Sequence, residues 1–413
     1  MPRLSLSHLL SYALFGFPLA MVALPIYVYV PQFYADRLGM SLSAIGTALL
    51  LTRIMDAFID PFIGAVIDRR PQSRTYAPYI VLALPLLIAG FIGLFQPPQL
   101  SGNHAFLWFF VTLVVVYAGF SLASIAYQSW GAALTQEPGQ RVRLTSVREA
   151  CGLAGVIATA IIIQFGNVTL LSGMLSISLL ITAWLLIRHT PQKSGVAGVA
   201  HVPLSLRQLF ANRSFRALFL VFVVNGIAAA IPATLFLFFT KDRLHLPHLS
   251  GVLLLMYFLA AALSMPLWTR LAHRKGEVKA WLLAMLLSVL SFVGVLALGV
   301  GDAWAFSVIC IFSGMSLGAD LALPPALLAG VIHAAGHSDK NEASYFGVWN
   351  WASKMNLALA AGLALPALEY LGYIPGVASE SGLRALTLAY AALPCLLKLL
   401  AAALLWKARL EKV

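Results

Sequence analysis

Three charged residues, Arg53, Asp56 and Asp60, lie in a stretch of the chain that is otherwise largely apolar from Ile45 to Ile67. Asp56 and Asp60 are one helical turn apart and Arg53 lies three residues before Asp56, so in a helix all three project from one face. One arginine cannot neutralise two carboxylates, and a carboxylate without a counter-charge in a low-dielectric environment takes up a proton or holds a cation. The pattern favours cation coupling. The alternatives are a salt bridge that holds helices together and residues at a helix end that reach water.

A lysine and an aspartate also stand within apolar stretches of the C-terminal half. Lys354 is the only basic residue in the middle of its stretch, with Asn350 one turn before it on the same face, and its expected partner is an aspartate. Asp320 lies a little over one turn before Pro324 and Pro325. An aspartate in mid-span is a functional candidate by default, here for substrate binding. The double proline is predicted to break its helix and to free backbone carbonyls that line a cavity.

Further residues in apolar stretches carry polar or aromatic groups that a solute could contact, with packing as the alternative for each: Tyr127, Gln128, Trp130, Trp349 and Asn350. Glu149, predicted at the start of the fifth span, is expected to be an interfacial cap beside Arg148. His333 and His337 are one helical turn apart in a predicted loop, but no third ligand accompanies them. We therefore expect no metal site and no cofactor.

Apolar elements must position these residues, because the 413-residue chain is 61% hydrophobic and only 10% charged, with a mean hydropathy of +0.88. Apolar runs of roughly 20 residues recur along the whole chain, and each is long enough to cross about 30 Å of hydrocarbon as a helix. We count twelve such runs in the sequence. The first run is too long and too interrupted by prolines for a cleaved signal peptide. The sequence predicts an all-α integral membrane protein with twelve transmembrane helices.

The basic residues give the chain a formal net charge of +12 and are concentrated in alternate loops. The other loops hold only Arg37, Lys241, Arg243 and Arg384. By the positive-inside rule the basic loops are cytoplasmic, which places both termini in the cytoplasm and requires an even number of spans. The charge is therefore a signal of membrane topology, and no nucleic-acid partner is expected.

The longest polar interruption, from about Arg188 to Arg216, divides the predicted helices into six and six. We predict an N-terminal six-helix bundle over residues 1–190, a cytoplasmic linker with an amphipathic segment over 191–215, and a C-terminal six-helix bundle over 216–413. The two halves are related by a weak similarity between the segments "DPFIGAVIDRRPQSR" and "MPLWTRLAHRKGEVK". Two pseudo-symmetric bundles of this kind indicate alternating access about a central site.

The turn after the second predicted helix, with Gly64, Asp68, Arg69 and Arg74, resembles the characteristic loop of the major facilitator superfamily. This resemblance implies the fold of that superfamily, which consists of two six-helix bundles. It also implies a gating loop that contains Asp68, Arg69 and Arg74. The loop carries no information about the substrate.

The order Arg, two residues, Asp, three residues, Asp-Pro, two residues, Gly resembles the second-helix motif of the glycoside-pentoside-hexuronide:cation symporters, the melibiose permease family. The segments "SRTYAPY", "IAYQSW" and "VREACGLAG" are similar to further parts of that family. The resemblance implies that Asp56 and Asp60, with Arg53 on the same face, bind the coupling Na⁺ or H⁺. It further implies that Lys354 lies near those carboxylates and that Arg148 lies close to the substrate.

Two positions depart from the family pattern. The sugar-binding acid on the family's first helix falls on Ala20, and the second sugar-contacting aspartate, on its fourth helix, falls on Ser124. Carboxylates suit sugars because they accept two hydroxyl hydrogen bonds at once. The resemblance thus implies that the cation-binding residues are retained and that the two sugar-binding carboxylates are lost. The acidic cluster at the cytoplasmic end of the family's tenth helix is also missing, and this helix carries Asp320 instead. The alternative to a functional role for Asp320 is an ion pair with Arg148 or Lys354.

We expect a secondary active transporter that couples a cation gradient to the movement of a small organic solute, sugar-like by the family, through alternating access. The alternative is a transporter of an amphipathic lipid or lysolipid on the same scaffold, which the missing sugar acids favour modestly. No metalloprotease, phosphate-loop or hydrolase-nucleophile motif occurs in the sequence, so we do not expect an enzyme. The expected state is a monomer in a bacterial inner membrane.

Overall fold

The computed structural model describes residues 5–28, 30, 33–34, 38, 40, 42–69, 76–100, 102–135, 137–164, 168–190, 204–338, 341–373, 379–408 and 410. Within these residues all regular secondary structure is helical. The predicted all-α class is therefore confirmed.

The first part of the chain forms α1 (Leu6–Ala13), α2 (Gly16–Val28), α3 (Leu42–Asp68), α4 (Ala77–Phe95), α5 (Gly102–Leu134), α6 (Pro138–Gln164) and α7 (Val168–His189). The second part forms α8 (Leu206–Ala211), α9 (Arg213–Phe238), α10 (Ser250–Lys275), α11 (Glu277–Val293), α12 (Ala303–Ala334), α13 (Glu342–Tyr370), α14 (Glu380–Thr387) and α15 (Leu393–Ala408). Two π-helical turns, Phe239–Arg243 and Leu388–Ala392, follow α9 and α14.

Nine helical segments of the described chain are long and apolar enough to cross a bilayer. The other long helices are α3, α6 and α13, of 27, 27 and 29 residues, which bring the number of long helical segments in this part of the chain to twelve. These three helices contain most of the charged residues that the sequence singled out. A charged stripe lowers the mean hydropathy of a helix that is otherwise suited to a bilayer.

The double proline does not break its helix, contrary to the prediction. α12 runs without interruption from Ala303 to Ala334, through Pro324 and Pro325. Each proline removes one backbone N–H donor, but the residues around the pair are almost all buried against neighbouring helices. Packing on several sides holds the helix where propensity alone would end it.

The chain divides into two compact units. Unit 1 comprises Met1–Ser205 and Ala335–Trp351, and unit 2 comprises Leu206–Ala334 and Ala352–Val413. α13 therefore contributes its first turns to unit 1 and the remainder to unit 2. The chain passes from one unit to the other between Ser205 and Leu206, inside the predicted linker, whereas the predicted domain bounds stay a prediction.

Each unit has an aromatic core of its own. In unit 1 the rings of Tyr34 and Phe109 are 4.3 Å apart at their centroids, and in unit 2 Phe239 stacks on Tyr390 at 4.2 Å. The amphipathic segment predicted in the linker has an apolar face of Val202, Leu206, Leu209 and Phe210. In α8 Leu209 is buried, but Leu206 is 55% exposed and Arg207 is exposed as well, so the predicted face is buried only in part. Val202 lies outside the described residues.

Candidate cation and substrate site

A row of buried carboxylates follows one face of α3. Asp56, Asp60 and Asp68 are 4%, 0% and 5% exposed, and with Gly64 they repeat every four residues. The four-residue repeat keeps them on one side of the helix, and that side is turned into the protein. Arg53 lies in the same helix, but its side chain is outside the described residues.

Asp56 accepts a hydrogen bond from a neighbouring helix of unit 1. The Ser121 hydroxyl on α5 donates to Asp56 Oδ1 at 2.7 Å. A hydroxyl stabilises a carboxylate by its hydrogen bond and carries no charge of its own. Sequence reasoning missed Ser121, and the sequence offers only a weak signal for it, a serine in the apolar run "AGFSLAS".

Two glycines allow α3 to touch the first turns of α13 backbone to backbone. A Cβ atom on Gly347 would lie 2.6 Å from the carbonyl oxygen of Asp60. A Cβ atom on Gly64 would collide with the carbonyl oxygen of Ala343. Small residues are what permit such close approach of two membrane helices. Asp60 therefore lies at a close backbone contact between α3 and this part of α13.

Two turns further along α3, Asp68 caps the start of α13. Its two carboxylate oxygens accept the backbone N–H groups of Ala343 at 3.1 Å and Ser344 at 2.7 Å. These amides belong to the first turn of a helix, which has no intrahelical acceptor for them and carries a partial positive charge. Of the other two residues of the predicted gating loop, Arg69 is exposed and Arg74 lies outside the described residues.

Arg148 is buried next to α1 and α2. Its guanidinium pairs with Glu149 Oε1, through Nε at 2.9 Å and Nη2 at 2.5 Å. A Cβ atom on Gly16 would lie 2.9 Å from the Arg148 carbonyl oxygen and 3.6 Å from the Tyr127 hydroxyl. Because Gly16 has no side chain, it can lie close to both of these predicted site residues.

The expected position of Glu149 at a helix start is wrong. α6 begins at Pro138, about three turns earlier, so Glu149 lies well inside the helix. Proline is favoured in the first turn of a helix, because the N–H it lacks would have no acceptor there. The polar residues that follow Pro138 continue the helix beyond its apolar run.

The remaining predicted substrate residues of unit 1 fall into two groups. Gln128 and Asn350 are half-buried and hydrogen-bonded to each other, with Gln128 Nε2 donating to Asn350 Oδ1 at 3.1 Å. Tyr127, Trp130 and Trp349 are buried, and the Tyr127 hydroxyl donates to a backbone carbonyl at 2.7 Å. The two amides therefore offer polar groups that a solute can contact, whereas the three aromatic residues mainly pack inside the protein.

Asp320 forms a buried polar cluster inside unit 2. Its Oδ1 accepts hydrogen bonds from Asn225 Nδ2 at 3.1 Å and from the indole N–H of Trp281 at 2.8 Å. Its Oδ2 pairs with Lys398 Nζ at 2.5 Å. The alternative that named Arg148 or Lys354 as its partner is therefore corrected to Lys398. Both oxygens are occupied within unit 2, and the substrate role of Asp320 stays a prediction.

Lys398 is a residue that sequence reasoning missed. The signal is present, because it is a single lysine in the middle of the apolar run "LPCLLKLLAAALLW", and a charge at that depth needs a partner. Lys354 is half-buried in the part of α13 that belongs to unit 2. Its pairing with an aspartate of α3 stays a prediction.

Comparisons with known proteins extend over nearly the whole chain. A family model described as "MFS/sugar transport protein" matches residues 11–412. An isoprimeverose transporter of Lactiplantibacillus pentosus is 26% identical over 76% of this chain and 68% of its own length. The sodium-dependent lysophosphatidylcholine symporter 1 of Mus musculus is 22% identical over 90% of this chain and 79% of its own. The solved structure of the E. coli fucose:proton symporter covers 96% of this chain and 98% of its own, with a TM-score of 0.68 and 14% identity. At that identity the likeness shows a shared fold.

Proposed function

The chain belongs to the MFS/sugar transport protein family, and from this premise we propose that it is a secondary active transporter of a small, sugar-like solute, driven by Na⁺ or H⁺ through alternating access. Membership confirms the resemblance inferred from the loop after α3 and from the Arg-Asp-Asp pattern. It also confirms the expectation of a transporter rather than an enzyme.

The observation that carries the proposal is the burial of the Asp56 and Asp60 carboxylates in α3. A buried carboxylate loses its hydration, and a bound proton or metal cation lowers the cost of that loss. The Ser121 hydroxyl stabilises Asp56 through a neutral hydrogen bond. A cation that binds here therefore changes the charge of the protein interior, which is the requirement for coupling to an ion gradient.

The contact between α3 and the first turns of α13 offers a route from cation binding to helix movement. Asp60 contributes its backbone carbonyl to the contact at Gly347, and Asp68 caps α13 two turns further on. A change of charge at Asp60 acts on the same helix surface that holds this contact closed. We propose that occupancy of the carboxylate row decides whether the contact persists or opens.

The substrate is expected to meet neutral amides and an arginine in unit 1 instead of the family's two sugar carboxylates. Ala20 and Ser124 occupy the positions of those acids, whereas Gln128, Asn350 and Arg148 provide hydrogen-bond donors. Such donors bind the oxygens of hydroxyl, ether or acidic groups. This set suits a glycoside or a sugar acid better than it suits a cationic solute.

The test is uptake by the purified protein in proteoliposomes. A panel of radiolabelled sugars and glycosides is offered with an inward Na⁺ gradient, an inward H⁺ gradient, or no gradient. We expect one solute to accumulate above its external concentration with one of the two gradients only. Equal uptake under all three conditions would overturn the proposal of coupling.

Both termini are proposed to be cytoplasmic, in a bacterial inner membrane, with the protein acting as a monomer.

Transport of a lysolipid is the second candidate. It is supported by the similarity to a lysophosphatidylcholine symporter along 90% of this chain and by the absence of the sugar carboxylates. The same vesicles, offered labelled lysophosphatidylcholine with each gradient, separate the two candidates. Gradient-driven uptake of this lipid without uptake of any sugar would replace the first proposal.

A further inference from the structure

Unit 2 contains a large apolar cavity whose lining does not include Asp320 or Lys398. Its volume is about 1030 Å³, and α9, α13 and the segment from α14 to α15 enclose it. Small side chains create the space, since Ala360 and Ala364 of α13 face Ala389 and Ala392 of the π-helical turn. Single π-helical turns inside α-helices are frequent at functional sites.

The cavity is elongated along α13. Its lining residues on α13 and just beyond run from Leu359 to Leu371, which are twelve helical steps apart and therefore about 18 Å at 1.5 Å per residue. On the other side the lining runs from Glu380 to Leu397, antiparallel to the first. A slot of this length with aliphatic walls matches an extended hydrocarbon chain better than a compact polar solute.

Exposed leucines border the cavity at the surface of the protein. Leu388, Leu393 and Leu396 line it and remain 56%, 41% and 65% exposed. They belong to the segment Glu380–Ala408, which is long and apolar enough to cross a membrane. Exposed leucines of a membrane-spanning segment face lipid, so an acyl chain can enter from the side.

The polar residues of the lining are confined to one end. Glu380, Ser381 and Arg384 lie where the segment begins, and Arg384 Nη2 pairs with Glu380 Oε1 at 2.6 Å. Both charged side chains are well exposed. An adjacent positive and negative charge complement the phosphate and the ammonium of a zwitterionic headgroup. The apolar slot thus corresponds to the acyl chain of a phospholipid, and the charge pair at its end corresponds to the headgroup.

We propose that this cavity is a binding site for one acyl chain of a zwitterionic glycerophospholipid of the bilayer, with its headgroup at Glu380 and Arg384. The site is separate from the carboxylates of α3. It therefore goes beyond the proposed transport function, and lipid binding can be measured without any transport assay.

The test is photolabelling in nanodiscs of phosphatidylcholine that contain a phosphatidylcholine with a diazirine at the end of one acyl chain. Labelled peptides are mapped by mass spectrometry. We expect saturable labelling of α13 and of residues 388–397, clearly above that of the exposed face of α11 around Leu290, which is 74% exposed. Uniform labelling of all exposed leucines would mean annular lipid only and would overturn the proposal.

Two variants sharpen the result. Ala389→Phe fills the slot and is expected to reduce labelling of its walls to the level at α11, whereas Leu290→Phe is the matched control that leaves it unchanged. Arg384→Gln alters only an exposed side chain, so folding is not at issue. It is expected to lower labelling for the phosphatidylcholine probe and not for a diacylglycerol probe, because only the first carries a phosphate that the guanidinium can bind. Equal labelling of wild type and both site variants would overturn the site.

Discussion

The ion pair between Asp320 and Lys398 permits a quantitative test of how unit 2 is stabilised. Their side chains are only 10% and 6% exposed, and Asn225 and Trp281 donate to the same carboxylate. Removing one member of such a pair leaves a buried charge without its partner, at a cost of about 3 to 5 kcal/mol. Replacing both charged groups by uncharged groups of similar size often changes the free energy of unfolding very little.

We therefore expect Lys398→Met and Asp320→Asn each to lower the free energy of unfolding by about 3 kcal/mol or more. The double variant should return to within about 1 kcal/mol of wild type, because the amide that replaces the carboxylate keeps an oxygen for both neutral donors. The assay is detergent-induced unfolding in mixed micelles, followed by tryptophan fluorescence. Arg384→Gln, which breaks an exposed pair, is the matched control and should change little. Single variants that cost under about 1 kcal/mol, or a double variant equal to their sum, would refute the reasoning.

Three further predictions concern unit 1. Gly347→Ala places a methyl group against the Asp60 carbonyl, so it should destabilise the protein by about 1 to 3 kcal/mol and slow uptake. The control Gly173→Ala, which has nothing within 4 Å of the added Cβ, should do neither. Equal effects of the two variants would contradict the close contact. Asp68→Asn removes a charge from the start of α13 and should cost about 1 kcal/mol in the same unfolding assay, and an unchanged unfolding curve would argue against the cap. Arg148→Ala should weaken binding of the transported solute in a thermal-shift titration, and unaltered affinity would remove this arginine from the site.

The part of the site that the sequence predicts best is the part encoded within one helix. The apolar run and its four-residue charge spacing predict that Asp56 and Asp60 share one face of a helix ending near Asp68, and α3 has these bounds. Contacts between distant segments were not predictable in the same way. The cap of Asp68 on Ala343 depends on how two helices cross, which no local pattern encodes.

Errors arose where packing overrides local propensity. Pro324 and Pro325 favour a break, but burial of the surrounding helix keeps α12 continuous. The apolar sequence around Asp320 indicates that this carboxylate needs a positively charged partner. It does not indicate which one, since several lysines and arginines satisfy the requirement of charge. Lys398 is selected by the way α12 and α15 face each other in unit 2.

Coupling of transport to a cation by the buried carboxylates of α3 depends on the charge of Asp60, which the variant Asp60→Asn removes. The measurement compares gradient-driven accumulation with solute exchange at equal cation concentration, in proteoliposomes of wild type, Asp60→Asn and the loop control Asp302→Asn. We predict that Asp60→Asn loses accumulation and keeps exchange, because the amide preserves shape but removes the charge that binds the cation. Accumulation at the wild-type level in Asp60→Asn would contradict the account.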